Sequence, residues 1–152
     1  MYERMLVPLD GSKTAEAILP SVEDLVSKLG SDTEAEVTLL EVISDMTYNV
    51  LTRDRRAQLP LSENELEQIK KQAQDYLERV AETLRAKGIK VNTMVAVGET
   101  TKEIIKAAHE IDANVITMST HGFSGIKRWA LGSVADEVVK LSDIPVMVIR
   151  AK

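Results

Sequence analysis

The chain contains no cysteine. Disulfides, zinc ribbons, haem thiolates and cysteine nucleophiles are therefore excluded. It has two histidines, His109 and His121, which leaves little room for a histidine-based metal site. No apolar run approaches the ~18 residues that a membrane helix needs, so no membrane partner is expected. Basic excess is also missing: 19 Lys and Arg stand against 24 Asp and Glu, a net charge of −5. A sequence-independent nucleic-acid binder carries a basic face, so no nucleic-acid partner is expected. Met1-Tyr2-Glu3-Arg4 leads straight into an apolar run without the build of a secretory leader, and a cytoplasmic protein is the expectation. There is no internal repeat and no low-complexity tract. What remains is ordinary globular material: 152 residues, 44% apolar and 28% charged. That is enough for one domain over 1–152 with a full core.

Apolar runs and helical patterns alternate along the chain. Met5 to Leu9 is a short aliphatic run ending at Asp10-Gly11, a turn signal. Ala15, Ile18, Leu19, Val22, Leu25, Val26 and Leu29 follow at helical spacing, with Ser12 as a cap and Gly30 as a stop. Pro20 lies inside that pattern and either kinks the helix or opens a shorter one. Glu36 to Ile43 reads as a second strand. Residues 44–61 show no period, which suits a lid, a partner surface or a mobile insertion. Ser62-x-x-Glu65 is a capping box before a helix carrying Leu66, Ile69, Ala73, Leu77, Val80 and Leu84, stopped by Gly88. Val91 to Val97 is a third strand, closed by Gly98. Thr100-x-x-Glu103 is a second capping box, before Ile104, Ala107, Ala108 and Ile111. Val115 to Met118 is a fourth strand. Ser133 caps a helix with Val134, Val138 and Leu141, and Pro145 to Ile149 is the last strand.

Strands that are apolar throughout are buried on both faces, which means a parallel, doubly wound α/β sheet covered by helices. Such sheets bind ligands at the carboxyl ends of their strands, beside the reversal of strand order. The chemistry is thus expected in the loops 10–13, 44–61, 98–100 and 119–132.

The last of these is the informative one. Gly122, Gly125 and Gly132 permit close backbone approach, and Ser119, Thr120, Ser124 and Ser133 supply hydroxyls. The loop leads into a helix whose first-turn N–H groups and dipole favour an anion. Residues 113–135 contain no Asp or Glu, and their full charges are Lys127 and Arg128. An acid-free stretch in an acidic chain suits a phosphate. A flexible loop with a solvated Lys-Arg pair is the alternative.

Gly122, nine residues and then Gly132-Ser133, after an apolar strand, resemble the nucleotide loop of the universal stress protein family, ATP-binding branch. Val7-Pro8-Leu9-Asp10-Gly11-Ser12, Val97-Gly98 and Pro145 to Ile149 are similar to other parts of that family. The resemblance covers essentially the whole chain. It implies a flavodoxin-like five-stranded sheet of order 3-2-1-4-5, with Asp10 and the glycine loop across one crevice. It implies that Asp10 holds the ribose hydroxyls and that the Val42 backbone meets the adenine edge. Gly98 and Met118 would line the nucleoside pocket. Gly122 and Gly132 would admit the phosphates, and Ser133 would add its hydroxyl. Pro8, Ser119, His121 and Val134 complete the implied nucleotide contacts. The cofactor would be ATP or AMP, with Mg2+ as its companion. The implied partner is a second copy, paired through the edge of strand five.

Ser119 departs from the family pattern, which has glycine there. If that position needed a positive φ, its Cβ would cost about 1 kcal/mol. A nucleotide-free dimeric scaffold of the same family is the alternative reading, and Ser119 favours it. His109, near a helix end, reads as a cation complementing the dipole, and Trp129 as an anchor for the loop. A P-loop needs Gly-x4-Gly-Lys-Ser/Thr, which is absent. Neither Asp10 nor His121 is placed by sequence as a base for water, so slow ATP hydrolysis is the most that is expected.

Overall fold

The structure, a computed structural model, describes residues 3–30, 32–44, 63–120 and 132–151. Its centre is a five-stranded sheet of order β3-β2-β1-β4-β5, formed by β1 (Arg4–Pro8), β2 (Glu36–Ile43), β3 (Lys90–Val97), β4 (Val115–Thr120) and β5 (Val146–Arg150). Every neighbouring pair is parallel. The flavodoxin-like expectation, with its strand order, is met.

Alternation along the strands divides two cores. Met5, Val7, Val37, Leu39 and Val115 face one side and pack with Val22, Leu77 and Leu84. Leu6, Leu40, Ile116 and Met118 face the other side and pack with Ile104, Ala108 and Val138. A sheet covered on both faces needs apolar residues at successive positions, and this is why the central strands read as mainly aliphatic runs, such as Met5-Leu6-Val7 in β1.

The helices among the described residues are α1 (Lys13–Glu16), α2 (Leu19–Lys28), α3 (Glu63–Arg85), α4 (Thr100–Glu110) and α5 (Ser133–Leu141). Ser12 caps α1 by accepting the Ala15 N–H at 3.1 Å. Pro20 falls within the first two positions of α2, where its missing N–H would have had no intrahelical partner. The pattern from Ala15 to Leu29 is therefore two helices, with Pro20 near the start of the second. Gly30, at φ +84, stands just beyond the α2 C-cap, a left-handed position that suits glycine.

Three local expectations are corrected. Thr100 does not cap α4: the N-cap is Glu99, with extended backbone and no side-chain cap bond. The Glu103 side chain instead folds over Gly98, which sits at φ +153, and a Cβ on Gly98 would stand 2.8 Å from Glu103 Oε1. Ser133 does not cap α5 either; Gly132 holds that place and Ser133 is the first helical residue. Finally, β4 does not stop at Met118. Ser119 and Thr120 continue it, paired with Ile149 and Arg150, because the ladder with β5 recruits two polar residues that pattern alone leaves in a loop.

His109 pairs with Asp143 at 2.9 Å near the end of α4, in keeping with its reading as a helix-end residue. Ser62, Lys127, Arg128 and Trp129 lie outside the described residues.

Candidate functional site

The chain leaves β1 for β2 on one side and later returns to β4 on the other. The helices that follow β1 and β4 pack on opposite faces of the sheet, through Val22 and Val138, and a crevice opens at the carboxyl ends of these neighbouring strands. A cavity of about 380 Å3 occupies this place. That volume lies in the range of about 300–1,000 Å3 common for small-molecule sites.

Each of the four loops singled out by sequence contributes to its lining: Asp10 and Ser12, then Ser44, then Thr100, then Ser119 and Gly132. Pro8, Val42, Met118, Ser133 and Val134 also line it. His121 and Gly122 lie outside the described residues. Gly98 is not among the described lining residues. It ends β3, an edge strand two removed from β1, and the Glu103 side chain lies against it. Sequence reasoning did not single out Leu9, Thr14, Ala15, Thr100, Ile104 or Ala135 as lining residues. Thr100 had a usable signal, since it lies in a loop after a strand. Thr14 and Ala15 had none, because only the packing of α1 onto β4 brings them in.

Asp10 is the one charged side chain among the described lining residues. Its Oδ1 accepts the Ser12 N–H at 2.9 Å and the Ser12 hydroxyl at 2.5 Å. This is an Asx turn, in which a carboxylate just past a strand satisfies the next backbone donor. No described group donates to Oδ2. Two longer helices start at the cavity, α4 through Thr100 and α5 through Gly132 and Ser133. Neither N-terminus carries a side-chain cap bond. First-turn N–H groups have no acceptor within their helix, so both ends present donors and the positive pole of a helix dipole. Hydroxyls of Ser12, Thr14, Ser44, Thr100, Ser119 and Ser133 complete a polar rim around an apolar floor of Leu9, Val42, Ile104 and Met118. Chemically this is a site for a flat apolar group joined to a hydroxylated and an anionic part.

Ser119 lies in extended strand, and Asp112 is the one non-glycine with positive φ among the described residues. The conformational cost anticipated for a Cβ at position 119 therefore does not arise. Its hydroxyl donates to the Thr14 carbonyl oxygen, with the Ala15 carbonyl oxygen at 3.3 Å.

Glu41 and Tyr76 interact electrically with Asp10. Burial, and then the Asp10 charge, raise the Glu41 pKa above the usual carboxylate range. Its Oε2 is buried without a hydrogen-bond partner. Burial raises the Tyr76 phenol as well, followed by the Glu16 carboxylate and the charges of Glu41 and Asp10. Among the described residues, Tyr76 Oη has no partner in hydrogen-bond geometry.

The arrangement is that of a doubly wound α/β protein with a ligand crevice at its switch point. The model of the universal stress protein family matches residues 1–150, and the chain belongs to that family. It is 31% identical over 163 residues to universal stress protein MJ0577 of Methanocaldococcus jannaschii, covering 100% of this chain and 97% of the relative. It is also 31% identical over 152 residues to universal stress protein YxiE of Bacillus subtilis, covering 99% and 100%. The solved structure of MJ0577 superposes with a TM-score of 0.77 at 32% identity, covering 100% of this chain and 98% of that one. A universal stress protein family protein of Arabidopsis thaliana, solved with AMP bound, shares the fold with a TM-score of 0.64 at 16% identity, covering 98% and 92%.

Proposed function

We propose that the protein is a stress-response regulator that binds an adenine nucleotide, ATP or AMP, in the cavity at the ends of β1, β2 and β4. The observation that carries this reading is one shared cavity lined by Asp10 and by the uncapped start of α5 at Gly132 and Ser133. A carboxylate oxygen accepts hydrogen bonds from sugar hydroxyls, and a helix N-terminus favours a phosphate. The apolar floor of Val42, Met118 and Ile104 suits the face of a purine. His121 and Gly122 belong to this site by resemblance. The AMP-bound relative from Arabidopsis thaliana gives the reading support at the level of the fold.

Among the described residues no group of three acidic or histidine side chains is spaced to hold a metal ion. A Mg2+ ion would accordingly ride on the phosphates rather than on a protein cage. Isothermal calorimetry with ATP and AMP tests the reading. Heat at micromolar to millimolar ligand is expected, and its absence at several millimolar overturns it. Native mass spectrometry adds a second arm, by weighing any nucleotide that co-purifies.

The second reading is a nucleotide-free dimeric scaffold. The observation in its favour is Ser119, whose side chain lines the cavity where the family pattern has glycine. Both readings share a homodimer through β5, an edge strand of aliphatic residues with Val139 and Leu141 exposed at the end of α5. An unpaired edge is a template for another strand. Light scattering is expected to give twice the 16.8 kDa chain mass.

A further inference from the structure

A continuous hydrogen-bond path joins the β4 side of the cavity rim to its carboxylate. It begins at Ser119, whose hydroxyl donates to the Thr14 carbonyl oxygen in α1. The Ala15 N–H, one residue on, donates to Ser12 Oγ at 3.1 Å. Ser12 Oγ in turn donates to Asp10 Oδ1 at 2.5 Å. The element in the middle is α1, four residues long. A single helical turn is not stable alone, because it fixes several dihedrals for one or two hydrogen bonds. The carbonyls at its end receive long bonds, from Ala17 N–H to Thr14 at 3.3 Å and from Ile18 N–H to Ala15 at 3.3 Å. Ala15 packs against the core and α1 against β4, and Ser119 adds a directional hydrogen bond to that packing.

We infer that Ser119 is a positioning residue: by tethering α1 to β4 it sets the Ser12–Asp10 turn, so that Asp10 Oδ2 is the oxygen presented to a ligand hydroxyl. A glycine at this position leaves α1 untethered, and serine adds the tether without backbone strain. This inference rests on the nucleotide reading and deepens it. It assigns Ser119 to ribose recognition, through Asp10, rather than to the phosphates.

The experiment compares wild type with Ser119→Ala, Ser119→Gly and Ser119→Thr. Calorimetry is run with ATP and with 2′,3′-dideoxy-ATP, which lacks the hydroxyls that Asp10 would hold. Loss of one net hydrogen bond corresponds to about fivefold in affinity. Ser119→Ala is expected to weaken ATP about fivefold and leave dideoxy-ATP unchanged, and Ser119→Thr is expected to restore ATP binding. The double variant Ser119→Ala/Asp10→Asn should bind ATP no more weakly than Asp10→Asn alone. In ligand-free protein, the amides of Ala15, Ala17 and Ile18 should exchange with deuterium several-fold faster in Ser119→Ala and Ser119→Gly. Equal weakening of both nucleotides overturns the inference, because it reports a direct or steric role. Full ATP affinity in Ser119→Ala overturns it too. A wild type that binds neither nucleotide overturns the nucleotide reading itself. Unchanged exchange in α1 would then show separately that Ser119 holds nothing.

Discussion

Ser12 donates both its backbone N–H and its hydroxyl to one oxygen of Asp10, at 2.9 and 2.5 Å. The turn occupies Oδ1 and leaves Oδ2. Asparagine can keep the Oδ1 acceptor while losing the charge and the second acceptor. Asp10→Asn is therefore expected to change stability by less than about 0.5 kcal/mol. It should weaken ATP about tenfold, as befits a hydrogen bond to a charged group. Calorimetry and a thermal melt on the same preparation check the two halves.

The start of α5 offers a test of the anion end. Ser133→Glu places a carboxylate at the first helical position, where it favours the helix dipole by about 0.3–1 kcal/mol. The melting temperature should hold or rise slightly. ATP affinity should fall more than tenfold, AMP less and adenosine least, because repulsion grows with the charge of the ligand. Equal losses for all three would place the phosphates elsewhere.

Glu41 gives a pH dependence. Burial and Asp10 raise its folded pKa above the unfolded value. A raised carboxyl pKa means that the folded state holds the proton more tightly. Its favourable contribution is complete below the unfolded pKa and is lost as pH rises through the folded one. Glu41→Gln should therefore raise the melting temperature at pH 7.5 and give a smaller gain near pH 4. Melts across that interval check the sign.

The two edges of the sheet are unlike. At β3, Arg85 donates from Nε at 3.2 Å and from Nη2 at 2.8 Å to the Val91 carbonyl oxygen, while its Nη1 is held by Glu78 and Glu82 at 2.8 and 2.9 Å. The guanidinium thus occupies an acceptor that an incoming strand would use. Arg85→Ala is expected to add concentration-dependent association beyond the dimer, read by light scattering. The Glu78 pKa is lowered by its bonds to Thr93 and Arg85, so the guard should weaken as pH falls through the folded pKa of Glu78.

The sequence displayed the sheet because burial on both faces leaves runs such as Val37 to Ile43 almost wholly aliphatic. It marked Asp10 because an acid directly after an apolar run falls where such sheets bind ligands, though a turn residue or a helix cap reads the same way, and the structure does place Asp10 in an Asx turn. It hid whatever depends on partners distant in the chain. Ser119 and Thr120 look like loop residues until β5 pairs with them. Thr14 and Ala15 enter the cavity by way of α1 packing on β4. The N-caps are Glu99 and Gly132, each one residue before the side chain best suited to cap, because the backbone leaving the preceding segment decides where helical dihedrals begin. Glu41 sits inside a strand pattern, and nothing local marks it as a half-buried carboxyl that acts on Tyr76.

A sheet guarded at one margin and bare at the other can grow only once. In the dimer proposed through β5, each copy would cover the β5 margin of the other, and the two β3 margins, each with its Arg85, would face outward. Arg85, which does not line the cavity, would then limit growth of the sheet to that pair.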